Sequence, residues 1–198
     1  MILITGFEPF DNADINPSFE AVKRLPDNIN GNPIIKLELP VVFGEAAAKI
    51  IAVIEKESPD AIVMTGVAAG RDKITPEVIA INLADARIPD NAGISPKMER
   101  ISADGPDGLF STLPVNQMVR VMEDAGFKAG LSFSAGTYVC NDTFYRVNDY
   151  VRAHGMNIPC GFIHVPALKG MDNETDMDLD DLTGALKLCL DYVWKKWE

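Results

Sequence analysis

Cysteine and histidine are scarce in this chain. Its 198 residues hold three cysteines, Cys140, Cys160 and Cys189, and two histidines, His154 and His164. With no CxxC pair and an odd, sparse set of thiols, neither a disulfide framework nor a structural zinc site is expected, and a reducing cytoplasm suits the composition. Positive charge is also in short supply: 18 basic side chains face 29 acidic ones, a net charge of −11. That balance excludes the clustered Lys and Arg that a nucleic acid partner requires. Long apolar runs are missing too. The opening Ile2-Leu3-Ile4 is followed at once by Thr5-Gly6 and then Glu8, too short for a signal-peptide core or a membrane span. There is no internal repeat, low-complexity tract or Gly/Ser linker. The Gly66…Gly70-Arg71 turn has neither GxGxxG nor GK[ST], so no nucleotide site is expected.

What is present is an ordinary globular composition, 47% hydrophobic and 24% charged, at a length that fits one large domain over residues 1–198. Apolar runs predict strands at Ile2–Thr5, Ile34–Leu39, Ala61–Thr65, Val78–Leu83, Gly130–Ser134 and Gly161–Val165. Several are apolar at nearly every position, as in strands covered on both faces. Helical spacing predicts Pro17–Leu25, Gly44–Glu57, Val115–Ala125, Val139–Ala153 and Leu179–Lys196. Asn16 stands as the cap of the first, with Pro17 at its first position. The alternation predicts an α/β chain: a three-layer α/β/α sandwich around a largely parallel or mixed sheet. The stretch from Asp85 to Pro114, rich in proline and glycine, reads as a long irregular segment, of the kind that is either functional or disordered. The acidic stretch from Lys169 to Asp180 reads as a solvated loop before the last helix.

Three residue types could carry chemistry. Cys140, in Ser134-Ala135-Gly136-Thr137-Tyr138-Val139-Cys140-Asn141, falls between an apolar strand and a helix. Unpaired amides and the positive end of a helix dipole favour the thiolate there; the competing role is that of a buried core thiol, four residues before Phe144 on an apolar stripe. His164 follows Gly161-Phe162-Ile163 at a strand end, where ligand sites of α/β sheets concentrate, though a core histidine would also fit. His154 reads as a helix C-terminal residue facing solvent. Glu77, entering a strand after Pro76, is placed to orient an imidazole or to be a surface carboxylate. Asp85 and Asp90 are the other acidic candidates. Arg87 is either a surface ion-pair partner or a contact for a developing oxyanion. Phe7 and Phe10, in a loop after the first strand, offer an apolar binding wall or a cap on the core.

Together these segments resemble the pyrrolidone-carboxylate peptidases, also called pyroglutamyl peptidase type I. The resemblance is carried in order by Thr5-Gly6-Phe7-Glu8-Pro9-Phe10, Asn16-Pro17, Leu39-Pro40-Val41, Pro76-Glu77, Asp85 to Asn91, Phe110-Ser111-Thr112-Leu113-Pro114, Ser134 to Asn141, and Gly161 to Pro166. It implies a phosphorylase/hydrolase-like fold, a Cys140–His164–Glu77 triad, Asp90 as an auxiliary acid and Arg87 as an oxyanion contact. It further implies that Phe7, Phe10 and Asn16 belong to the substrate pocket, that peptides with an amino-terminal pyroglutamate are the partners, and that the assembly is a homotetramer without metal or cofactor. A pyroglutamyl ring is small, flat and uncharged, so an aromatic slot with few polar contacts suits it.

Three positions depart from the family pattern: Val78 where Arg is common, Ala167 where an aromatic is common, and Asp142 where neutral residues or His are usual. Two residues from the thiol, the Asp142 carboxylate is expected to repel a thiolate and raise the pKa of Cys140. Two rival readings share the fold: a non-catalytic binding protein with Cys140 as core, and a nucleoside phosphorylase, for which no phosphate or purine motif is present.

Overall fold

The computed structural model describes residues 1–11, 13–171 and 175–197. Part of the acidic stretch expected as a loop, residues 172–174, lies outside them. Thirteen elements follow in order: β1 (Ile2–Phe7), α1 (Pro17–Arg24), β2 (Asn28–Ile29), β3 (Asn32–Leu39), α2 (Glu45–Glu57), β4 (Ala61–Val67), β5 (Thr75–Pro76), β6 (Ile79–Ile81), β7 (Gly108–Phe110), α3 (Val115–Asp124), α4 (Val139–Ala153), β8 (Cys160–Val165) and α5 (Leu179–Trp197). Six strands form one mixed sheet in the order β2-β3-β1-β4-β8-β5, with β1, β3, β4 and β8 parallel and β2 and β5 antiparallel at the edges. Helices cover both faces, as the alternation of elements predicts.

Strand side chains point alternately to opposite faces, and each face gathers its own core. Ile2, Ile4, Val63, Ile163 and Val165 meet α1, α3 and α5 through residues such as Val22, Met118 and Leu186. Leu3, Ile62, Met64 and Phe162 meet α2 and α4 through Ile50, Ile54, Phe144 and Val147. Central strands β1 and β8 are buried at all six positions, which explains why they read as continuous apolar runs. A fully buried side chain of this kind contributes about 1.5–3 kcal/mol. The helix α1 starts where Asn16 Oδ1 accepts from the Ser18 amide, with Pro17 following.

Two expected strands differ. Within Val78–Leu83 only β6 is a strand, and it pairs with β7 in a separate two-stranded unit instead of joining the main sheet. Gly130–Ser134 forms no strand; it makes one isolated bridge, Ser132 with Glu77, next to that of Ala129 with Ile74. The sheet edge is taken by the two-residue β5, whose Pro76 lacks an N–H and is tolerated only at such an edge. Elements of two or three residues have no period to detect, so β2, β5 and β7 leave no pattern in the sequence.

Candidate active site

The parallel strands β1, β4 and β8 bring their carboxyl ends side by side, at Phe7, Gly66 and His164. Along β8, Cys160, Phe162 and His164 share a face, the one covered by α2 and α4. His164 is 4% exposed and its ring packs 4.8 Å from that of Phe162. Antiparallel β5 sets Thr75 opposite His164 and delivers the next residue but one, Glu77, to the imidazole. Glu77 Oε1 lies 2.7 Å from His164 Nδ1, and the Glu77 amide donates to the Phe162 carbonyl at 2.9 Å. With Nδ1 engaged, Nε2 is the ring nitrogen left for proton transfer. The carboxylate is wholly buried, and Arg71 donates to the same Oε1 at 2.9 Å. Ser132 stands beside Glu77 in an isolated bridge, and its hydroxyl also reaches the Ser134 carbonyl.

Cys140 is the second residue of α4, in its first turn, where amides have no intrahelical acceptor. Asn141 braces that turn by exchanging hydrogen bonds with Ile81 and donating to the Leu83 carbonyl. The thiol rests on Gly66, which is in register with His164. A Cβ on Gly66 would stand 2.9 Å from Cys140 Sγ and 2.8 Å from Phe162 Cζ. Only glycine leaves room for the sulfur beside the histidine strand.

Burial pushes the Cys140 thiol up to about 12, the Glu77 charge adds to the rise, and Arg71 partly opposes it. Burial likewise pushes His164 below its ordinary value against the raising influence of Glu77, with Arg71 adding to the lowering. Burial alone would raise Glu77, but the hydrogen bond from His164, followed by those from Ser132 and Arg71, holds it below the usual range. The resting state at neutral pH is therefore a neutral thiol, a neutral imidazole and a carboxylate.

Cys140 opens onto a cavity of about 530 Å³ whose wall includes Phe7, Phe10, Asn16, Arg87 and Tyr138. Phe10 lies 5.5 Å from Tyr138, and Phe43 meets the other side of Tyr138 edge-on at 5.3 Å. Both phenylalanines line the cavity, but Phe7 is not in a loop: it ends β1 and is 3% exposed in the core under α2 and α4. Asn16 lines it as well, though its amide is committed to Ser18 and to the Glu8 carbonyl. Ala167 forms part of the same wall. Asp90 is buried one layer behind the lining, where it accepts from the amides of Phe43, Ala92 and Ile94 at 2.8–2.9 Å. Asp85 shapes the same loop by accepting from the Met98 amide. His154 caps the end of α4, exposed and stacked on Tyr150, as expected.

One expectation is overturned. Asp142 is 1% exposed and aims its carboxylate at α2, accepting from the Gly44 amide and from Arg146 Nε, both at 2.8 Å. Arg146 neutralises it, and the charges that shift Cys140 are those of Glu77 and Arg71. Three further residues stand at the site: Gly66 and Arg71, considered from the sequence only as parts of a turn without a nucleotide motif, and Tyr138. Gly66 carried a signal, since a glycine inside an apolar strand marks a close approach of another group. Tyr138 stood inside the Cys140 segment. Arg71, in a turn six residues before Glu77, carried none. Among the described residues no group of three or more His, Cys, Asp or Glu side chains is arranged to hold a metal ion, and no helix is long and apolar enough to cross a membrane.

Comparison with known proteins agrees in sequence and in structure. The pyroglutamyl peptidase family profile matches residues 1–192. The chain is 46% identical over 193 residues to the pyrrolidone-carboxylate peptidase of Lactobacillus helveticus, covering 96% of each chain. It is 45% identical over 189 residues to that of Thermosipho melanesiensis, covering 93% of this chain and 94% of the relative. Among solved structures it superposes on pyroglutamyl peptidase I from Bacillus amyloliquefaciens with a TM-score of 0.91 at 41% identity, covering 95% of this chain and 91% of the other. On the pyrrolidone carboxyl peptidase of Pyrococcus furiosus the TM-score is 0.94 at 32% identity, covering 100% and 99%.

Proposed function

This chain belongs to the pyroglutamyl peptidase family, and on that premise we propose how its residues perform the family's reaction. The enzyme is a cysteine-type hydrolase that cleaves the amide bond after an amino-terminal pyroglutamyl residue. Cys140 is the nucleophile, His164 the general base and acid, and Glu77 the group that orients the imidazole. The observation that carries this reading is the thiol seated on Gly66, in register with a histidine whose Nδ1 is held by a buried carboxylate.

Because thiol and imidazole are both neutral at rest, attack and proton transfer go together. Sγ bonds to the pyroglutamyl carbonyl carbon as its proton passes to His164 Nε2, and Glu77 stabilises the imidazolium. The carbonyl oxygen becomes an oxyanion, for which the Cys140 amide and Arg87 are the donors; such a donor contributes roughly 3–4 kcal/mol. The C–N bond then breaks, the imidazolium protonates the departing amine, and a thioester remains. His164 next takes a proton from water, whose oxygen attacks the thioester, and the thiol is regenerated as pyroglutamate leaves. Phe7 and Phe10 contact the faces of the lactam ring, Asn16 completes that wall, and Asp90 acts on the pocket by fixing the Phe43 loop.

The test is release of fluorophore from a pyroglutamyl-coumarin amide. The wild-type chain is expected to cleave it, Cys140→Ser to lose at least about a thousandfold while staying folded, and Cys160→Ser and Cys189→Ser to remain active. An inactive wild type would leave a binding protein on this fold; full activity in Cys140→Ser would remove the nucleophile. We further propose a single catalytic domain working without cofactor in the cytoplasm as a homotetramer, which light scattering on the purified chain checks for assembly.

A further inference from the structure

We propose that Arg71 is the positioning residue of this site, a single guanidinium that ties together the three chain segments carrying Glu77, His164 and Cys140. The inference rests on the assignment of those three residues to the reaction, and it concerns a residue outside the substrate cavity.

The geometry is specific. Arg71 sits in the turn after β4, with its own amide closed onto the Ala68 carbonyl at 3.2 Å. One terminal nitrogen donates to Glu77 Oε1 and to the Thr75 hydroxyl; the other donates to the Ser134 carbonyl at 3.2 Å. Thr75 is the residue opposite His164 in the β5–β8 pair, and its hydroxyl also reaches the His164 carbonyl at 3.5 Å. Ser134 begins the loop that passes through Gly136, in the left-handed region at φ 77°, and enters α4 at Cys140. A planar fork can hold a carboxylate, a hydroxyl and a carbonyl at once, which a single ammonium cannot.

Val78 sharpens the need for this arrangement. The position after Glu77 supplies no cation in this chain, so the buried carboxylate, beside a neutral imidazole, takes its positive partner from Arg71. Unpaired buried carboxylates are costly. The charged groups bearing on the imidazole are Glu77 from the β5 edge and Arg71 from the β4–β5 turn. Arg71 offsets part of the Glu77 charge felt by the ring, so without it His164 binds a proton more readily.

The experiment is the pH dependence of kcat/KM and the separate kcat and KM of Arg71→Gln and Arg71→Lys, using the pyroglutamyl-coumarin amide. For Arg71→Gln, kcat is expected to fall about 10–100-fold with KM changed less than about twofold, since Arg71 does not line the cavity. The acidic limb of its profile is expected to move up by about half a unit to one unit. Arg71→Lys keeps the charge, so its limb should stay at the wild-type position while kcat remains several-fold low. A lower kcat in Arg71→Gln with an unmoved limb would reduce Arg71 to a structural prop and overturn the proposal, as would wild-type kcat in Arg71→Lys. If Arg71→Gln does not fold, the Arg71→Lys comparison decides alone. NMR titration of the His164 ring, simple to assign with only one other histidine, separates the two layers of inference. An inactive wild type whose His164 pKa still rises in Arg71→Gln defeats the reaction assignment and keeps the coupling; an active wild type with no such rise does the reverse.

Discussion

The two faces of the central sheet are built from the same strands and do different work. On the face covered by α1, α3 and α5, strands and helices meet through an apolar cluster that includes Cys189. The face covered by α2 and α4 holds an equally dense apolar cluster but admits His164 beside it, Asn141 and Asp142 at the start of α4, and Glu77 at the strand edge. Polar groups buried this way are costly unless each finds a partner. They are confined to the carboxyl ends of the strands, where the backbone already turns away and leaves donors and acceptors to bind. A fold can thus keep one face for cohesion and risk the other for chemistry.

The contrast predicts how substitutions divide. Gly66→Ala on the reactive face should cost about a hundredfold in kcat, because the new methyl displaces the sulfur from its seat. Val63→Ala, three positions earlier and on the cohesive face, should leave kcat intact while lowering stability by about 2 kcal/mol. Steady-state kinetics with denaturant unfolding of both variants makes the comparison. If Gly66→Ala lost only stability, the distinction between the faces would collapse.

Next in size is Phe10→Ala, expected to raise KM for pyroglutamyl amides about 5–100-fold, the equivalent of roughly 1–3 kcal/mol of apolar contact, with little change in kcat. A glutamyl amide should remain a poor substrate for both proteins, since its ammonium would enter an apolar slot. Equal cleavage of the two amides by the wild type would count against this pocket.

Acid sensitivity should also belong to the reactive face. The folded pKa values of Glu77 and His164 both lie below their ordinary values of 4.5 and 6.5. Protonation therefore favours the unfolded chain: each contribution is full above the ordinary value and is lost as pH falls through the lowered one. The melting temperature should decline first below about pH 6.5 and again below about 4.5. In a His164→Asn/Glu77→Gln double variant the decline over this range should be shallower. A double variant with the same slope as wild type would assign the acid response to other groups.

The smallest effect on chemistry is expected at Asp142. Asp142→Asn should lower stability by about 1–3 kcal/mol through its bonds to Gly44 and Arg146, yet leave the pH profile of Cys140 alkylation by iodoacetamide where it was. A shift of that profile to lower pH would restore the repulsion expected from sequence spacing.

That example marks where sequence reading stops. Spacing placed Asp142 two residues from the thiol, but two helical steps of about 100° each turn its side chain to another face, and the partner that neutralises it, Arg146, emerges a turn later. Cys140, His164 and Glu77 were legible as candidates because a thiol, an imidazole and a carboxylate each stood at a segment end, and the family resemblance joined them. The helices were legible from their period, with boundaries within a residue or two. The edge strand β5 was not, being two residues long, and with it went the mechanism that delivers Glu77 to His164. Arg71 was invisible for a related reason: its importance lies in three acceptors contributed by residues 75, 77 and 134, a convergence that no local pattern encodes.

The thiol seated on Gly66 has a consequence for survival in an oxidising cell. Peroxides and disulfides react with thiolates and scarcely with thiols. A sulfur that rests protonated against Gly66 stays low on the route to sulfenic and sulfinic acids. It yields its proton only to the adjacent imidazole, as a carbonyl arrives to share the charge. Nucleophilicity is then a property of the occupied enzyme, and the empty one is chemically quiet.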